Sequence, residues 1–420
     1  MKLFRPTRRS ALLGTAALGA GAALGVRPRP ARAAARDRKF LFFFAQGGWD
    51  TSQVFEPKFM ANSGVDMAPD TVQGGAGGLA FTAGDDRPGV SRFFSRWGAR
   101  SAIVNGVDTH SIGHGAGTRF MLTGSSASSL SDWPTLLASN TEASFPMPHV
   151  VFSGPSFGGS RGASVVRGGG GRLLDLLDGS IVGRSDTPSA VVPRPADSMV
   201  DAFVHGRVDA FARSESGLGR ARAEALLSNL ERSMELEGRE FEAGLTQDMG
   251  GLLDRAIRAT EVMRLGLTRC AMLRIPGGWD THGNNLPQGP QFEAFFDMLD
   301  GLMDHLATTP GHTSATLADE VVIVAMSELG RTPRLNGGGG KDHWPFTSML
   351  VSGPGVAGDQ VIGATDPGLI GLPIDHATGR ESSSGDLLGC ESVGAALLTL
   401  GGVDPSVFLQ DVQVLEALLR

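Results

Sequence analysis

From Phe40 to Ala45 the chain reads Phe-Leu-Phe-Phe-Phe-Ala, six residues with no polar side chain among them. A strand with one wet face alternates apolar with polar residues, so an unbroken run of this length needs burial on both faces. That requirement points to the middle of a sheet covered by helices. Similar runs occur at Ala102–Val104, His149–Phe152, Cys270–Ile275, Val321–Met326 and Ser348–Val351. Between Cys270–Ile275 and Val321–Met326, Phe292, Phe295, Phe296, Leu299, Leu302, Met303 and Leu306 fall at i, i+3, i+4, i+7 spacing, which predicts an amphipathic helix. Strands alternating with such helices predict an α/β fold, a three-layer α/β/α sandwich on a mostly parallel central sheet. From Ala196 to Gly266 the rhythm changes: Leu227, Leu230, Met234, Phe241 and Leu245 mark one helical face, and the stretch is expected to be a helical insertion beside the sheet. The tract Gly168–Gly171 is expected in a surface loop or hairpin. An apolar fraction of 41% excludes a disordered chain, and two cysteines in 420 residues exclude a disulfide scaffold. A single domain over residues 36–420 is expected.

Residues 1–35 carry seven basic side chains (Lys2, Arg5, Arg8, Arg9, Arg27, Arg29, Arg32) and no acid. The uncharged stretch Ala11–Val26 would span only about 24 Å as a helix, short for a membrane crossing. The order basic, apolar, then Ala31-Arg32-Ala33 reads as a cleaved signal peptide, and Arg8-Arg9 ahead of it as a twin-arginine signal. The expected partner is the twin-arginine export machinery, the expected location periplasmic or secreted, with no membrane span after cleavage. The formal charge of −7 then becomes −14, with 30 basic against 44 acidic residues, which argues against a nucleic-acid surface.

The chemistry-bearing residues cluster after the apolar runs. Gly47-Gly48-Trp49-Asp50-Thr51 follows the first run, and the same pentapeptide returns as Gly277-Gly278-Trp279-Asp280-Thr281, continued by His282. Ligands of open α/β sheets bind beyond the carboxyl ends of strands. Asp50, Asp280 and His282 are therefore expected at one edge, as ligands for a divalent metal ion such as Zn, Mn, Mg or Ca. Ser327-Glu328 with Gly330-Arg331-Thr332 follows the run Val321–Met326, and Lys341-Asp342-His343-Trp344 follows a glycine tract. Glu328, Asp342 and His343 join the expected ligand set. Arg331, with a planar fork suited to phosphate or sulfate oxygens, is expected to hold an anion.

These motifs resemble those of exported bacterial proteins of the "domain of unknown function 1501" family, related to the alkaline phosphatase and sulfatase superfamily. The resemblance rests on Gly277–His282, Ser327-Glu328 with Gly330–Thr332, and Asp342-His343, with the segment running on to Ser352-Gly353-Pro354-Gly355. It implies a metal-dependent hydrolase of small anionic esters, with Asp50, Asp280, His282 and His343 as ligands and Glu328 where phosphatases carry an Asp-His pair. It also departs from the superfamily. The segment from His114 to Thr123-Gly124 resembles the sulfatase stretch that opens with the catalytic Cys or Ser, yet here the leading residue is His114. His114 is open to reading as metal ligand, nucleophile or general acid, with Thr109, Ser111 and Thr118 as neighbouring hydroxyls. The competing expectation is a non-catalytic exported binding or assembly protein.

Three further features are weighed. Gly154-Pro155-Ser156-Phe157-Gly158 matches the nucleophile elbow of serine hydrolases, but the residues after it are poor helix formers. Asp375-His376 reads as a surface-loop pair. Cys270 and Cys390 are expected either as a disulfide or as buried thiols.

Overall fold

The computed structural model describes residues 34–141, 143–169, 194–236 and 250–420. Residues 1–33 of the expected leader, Gly170 and Gly171, and Phe241 and Leu245 lie outside the described residues. Among the described residues, no helix is long and apolar enough to cross a membrane.

Eight strands build the central sheet: β1 (Lys39–Ala45), β2 (Ser101–Asp108), β3 (His149–Val151), β4 (Val165–Arg167), β5 (Cys270–Arg274), β6 (Val321–Ser327), β7 (Phe346–Ser352) and β8 (Gln360–Ile362). Their order is β8-β2-β7-β6-β1-β5-β3-β4. All six apolar runs seen in the sequence lie in or overlap these strands. Only β7 opposes its neighbours, pairing antiparallel with β2 and β6; the other pairings are parallel.

Burial on both faces follows the alternation of β1. Phe40, Phe42 and Phe44 pack into one core with Met121, Trp133, Leu137, Val393 and Leu397, from the helices His114–Thr123, Trp133–Ser139 and Cys390–Leu400. Leu41, Phe43 and Ala45 pack into the other with Phe93, Ala259, Met263, Phe292 and Phe296, from Pro88–Trp97, Leu252–Arg264 and Gln288–Thr308. The predicted helix is therefore a covering helix of the second face. The fold is mixed α/β, a central sheet flanked by helices.

The 196–266 region resolves into two kinds of element. Helices Arg194–Ser214 and Gly217–Leu236 pack on each other, turning at Gly217 with φ +57. Helix Leu252–Arg264 instead buries Ala256, Ala259 and Met263 against the sheet, where small side chains let it approach closely. Cys270 and Cys390 are both buried free thiols, so the disulfide alternative does not hold. His376 is 8% exposed, buried rather than in the open loop the sequence suggested.

Candidate metal centre

The two Gly-Gly-Trp-Asp-Thr copies leave adjacent parallel strands in register. The offset of 230 positions that pairs Phe40 with Cys270 also relates Asp50 to Asp280. The turns lie against each other so closely that a Cβ on Gly47, at φ +129, would sit 2.7 Å from the Asp280 amide nitrogen. Trp49 and Trp279 meet edge-on at 6.5 Å and share Phe292 beneath them.

Four loops bring side chains to this edge. His114 opens a helix after β2, Asp280 and His282 follow β5, and Glu328 follows β6. Asp342 and His343 precede β7, whose reversed direction places its start where the other strands end. At the centre, Asp280 Oδ1 lies 3.1 Å from His282 Nε2 and 3.3 Å from His343 Nε2. Its Oδ2 lies 3.3 Å from His114 Nε2. The Nε2 atoms of His282 and His343 are 2.9 Å apart.

The other nitrogen of each ring explains this geometry. His114 Nδ1 meets Glu328 Oε1 at 2.9 Å, His282 Nδ1 meets Asp342 Oδ1 at 2.9 Å, and His343 Nδ1 meets the Ile112 carbonyl at 2.6 Å. Carboxylate and carbonyl oxygens only accept, so each Nδ1 donates outward, and Nε2 is the inward atom that a metal would take. Three Nε2 atoms and a carboxylate thus converge, and a cation among them would take the place of the protons that otherwise bridge these atoms. Outer oxygen partners that fix the ring and bare the inner nitrogen are the usual support of metal-binding histidines. His114, Asp280 and His343 have ligand atoms close enough to share one ion, and His282 joins through the same Asp280 oxygen. Burial opposes ionisation of Asp280, but hydrogen bonds from Arg331 and His343 and the charges of Arg331 and His282 outweigh it, bringing the carboxyl down to about 2. Both Asp280 and His282 are about half exposed, so the centre opens to solvent.

Not every expected residue arrives there in the expected role. Asp50 is fully buried in an ion pair with Lys341 Nζ at 2.9 Å. It also accepts from Asn285 Nδ2 at 2.7 Å and from the Ser52 hydroxyl at 2.7 Å. Burial would raise its pKa, but Lys341, Ser52 and Asn285 together hold it below the usual carboxylate range. Its oxygens face these partners and not the histidines. Glu328 is fully buried behind His114, accepting also from the Gly47 amide at 2.7 Å, and Asp342 sits behind His282. Arg331 is fully buried too. Its guanidinium donates to the carbonyls of Gly47, Gly48, Trp279 and Lys341 and to Asp280 Oδ1. Those bonds lock the two turns together and leave no fork for a substrate anion.

Among the described residues, no hydroxyl hydrogen-bonds to the side chains of His114, Asp280, His282 or His343. The Thr109 hydroxyl faces the carbonyls of Ser111 and Pro345, and Ser111 bonds to Gly113. Ser156 Oγ is buried with no partner, and a 3-10 turn at Gly159–Ser164 stands where an elbow needs a helix.

A second cluster escaped the sequence reading. His110, Cys390 and Glu391 also bring ligand atoms together. Hydrogen bonds that His110 donates to Asp108 and Glu391, against partial burial, raise its pKa to about 10. The Asp-x-His at the end of β2 was the available signal.

Residues 250–368 match the family model described as "Protein of unknown function (DUF1501)". That stretch contains Asp280, His282, Glu328, Arg331, Asp342 and His343 and leaves out Asp50 and His114. No curated protein matches. Of solved structures, 11 chains match. One is "Crystal structure of Ps i-CgsB in complex with k-i-k-neocarrahexaose", with TM-score 0.37 and 9% identity, over 87% of this chain and 72% of that chain. Similarity of that degree carries no argument about chemistry.

Proposed function

We propose that this chain is an exported, metal-dependent hydrolase of phosphate or sulfate esters, a single domain over 36–420 related to the alkaline phosphatases and sulfatases. The observation that carries the reading is the convergence of the Nε2 atoms of His114, His282 and His343 on the Asp280 carboxylate. His114, Asp280, His282 and His343 would hold a divalent ion, and three imidazoles favour Zn or another borderline metal over Ca or Mg. Such an ion lowers the pKa of a bound water and polarises an ester oxygen. Glu328, Asp342 and the Ile112 carbonyl keep the rings oriented. No side chain caps the start of helix His114–Thr123. Its first amides are therefore available to an anionic oxygen, in the role first expected of Arg331. As no hydroxyl among the described residues hydrogen-bonds to these four ligand side chains, water is the proposed nucleophile. Arg331 acts as a positioning residue for Asp280.

The missing hydroxyl and the engaged Arg331 equally favour a second reading, a non-catalytic exported binding protein. Assays of the natively purified protein on aryl phosphate and aryl sulfate esters separate the two. The enzyme reading expects turnover that a chelator abolishes and added Zn or Mn restores, with loss in His282→Ala. Bound metal without turnover of either ester would leave the binding reading, and fluorophosphonate labelling of Ser156 would return to the serine-hydrolase one. Replacing Arg8-Arg9 by Lys-Lys tests export: the precursor should stay in the cytoplasm.

A further inference from the structure

His110 leaves β2 in a left-handed conformation, φ +53, uncommon for a residue with a side chain. Asp108 holds it on two sides, accepting from the His110 amide at 2.7 Å and lying 3.4 Å from its Nδ1. The ring is thereby turned so that Nε2 meets Glu391 Oε2 at 2.9 Å. Cys390 Sγ lies 3.6 Å from the same oxygen. We infer that His110, Cys390 and Glu391 form a second metal site, sharing no ligand with the first and suited to a borderline cation such as Zn.

The scaffold is rigid on both sides. Asp108 ends a sheet strand and bridges to Gly389, and Cys390 and Glu391 open the helix Cys390–Leu400. The three ligand atoms lie within 4.8 Å of one another. Tetrahedral zinc with nitrogen, oxygen and sulfur ligands sets such atoms roughly 3.2–3.7 Å apart, so small adjustments close the site. Asp108 behind His110 repeats the carboxylate-to-imidazole support seen behind His114 and His282. Among the described residues, no Lys or Arg pairs with Asp108 or Glu391, and the Cys390 thiol faces two acceptors, the Phe120 carbonyl and Glu391. The pocket therefore lacks positive charge other than what His110 or a bound ion supplies. A mixed nitrogen, sulfur and oxygen set selects Zn or a neighbour over Ca and Mg. On binding, the Cys390 thiol proton and the His110 Nε2 proton leave for solvent, and the Nδ1 proton stays on the Asp108 side. The exposed side of His110 leaves room for a water as fourth ligand.

Cobalt titration of the metal-stripped full chain tests the site, because a thiolate bound to cobalt(II) gives a near-ultraviolet charge-transfer band. The first centre contains no sulfur, and Cys270 is enclosed in the sheet core. Two equivalents should bind, and the band should accompany one of them. In Cys390→Ser the band should vanish and one equivalent remain, and Glu391→Gln should weaken the band-forming site at least tenfold. Asp280→Ala should keep the band and lose the other equivalent. A wild-type chain saturated with cobalt but lacking the band overturns the site, whether or not any variant folds. So does a folded Cys390→Ser that binds as much cobalt as wild type. One equivalent carrying the band would uphold this site and remove the first.

Discussion

The two Gly-Gly-Trp-Asp-Thr turns are a natural experiment in what a motif decides. Both follow adjacent strands, both place a Trp over Phe292, and both deliver an Asp to the same sheet edge. Yet Asp50 is sealed with Lys341, whereas Asp280 is half exposed among three imidazoles. The first glycine of each copy sets the turn, at φ +129 in Gly47 and +127 in Gly277, and lets the partner chain approach closely, whereas the second takes a positive φ only in Gly48. The partner arriving from elsewhere fixes the role of the carboxylate. Copy one receives Lys341 from 291 positions on. Copy two receives His114 and His343, and adds His282 from its own continuation. One acid is thus structural and the other is the hub of the proposed centre.

Exchanging the roles is the sharpest way to break this contrast. Asp50→Ala leaves the Lys341 ammonium buried without its partner and should cost about 3–5 kcal/mol in denaturant unfolding. The folded fraction should bind metal at the first centre as wild type does. Asp280→Ala should do the opposite. Calorimetric titration should show first-centre affinity reduced by more than ~100-fold, beyond the loss of an outer partner, with the unfolding midpoint of the metal-free protein lowered less than in Asp50→Ala, because Arg331 keeps its four carbonyl partners. Between these extremes lies Glu328→Gln, which removes a charge behind His114 but keeps an acceptor; affinity should fall ~10–100-fold by the same titration. The smallest effect is in the acid limb of stability. The Asp50 pKa is lowered in the folded protein, so its contribution is present above its ordinary value of 3.8 and lost as pH falls through the lower folded value. Stability of the wild type measured below pH 4 should fall more steeply than that of Asp50→Asn. The metal-free Asp280→Asn should show a weaker flattening, because solvent screens that half-exposed group.

The sequence revealed the sheet through its apolar runs, since burial on both faces removes alternation from β1, β5 and β6. Strands β4 and β8 escaped notice because three residues, partly exposed, carry too little pattern. The edge position of Asp280, His282, Glu328, Asp342 and His343 was also legible, because strand ends in an open sheet share one side. Their division into inner and outer groups was not. Whether a carboxylate touches an ion or the back of an imidazole depends on side-chain distances that no spacing rule encodes. Arg331 shows the same limit: a guanidinium after a strand suits an anion, but four carbonyls of the packed turns engage it first. The Asp50–Lys341 pair and the Cys390 cluster depend on contacts across 291 and 280 positions of chain, which local pattern cannot supply.

Anomalous diffraction at the zinc edge, from crystals of the protein grown with zinc, addresses the proposed centre most directly. The account predicts a peak among Asp280 and the Nε2 atoms of His114, His282 and His343, with Asp50 still on Lys341. Crystals with no zinc at that position while the three rings keep their present contacts, whether or not zinc occupies the His110, Cys390 and Glu391 cluster, would contradict it.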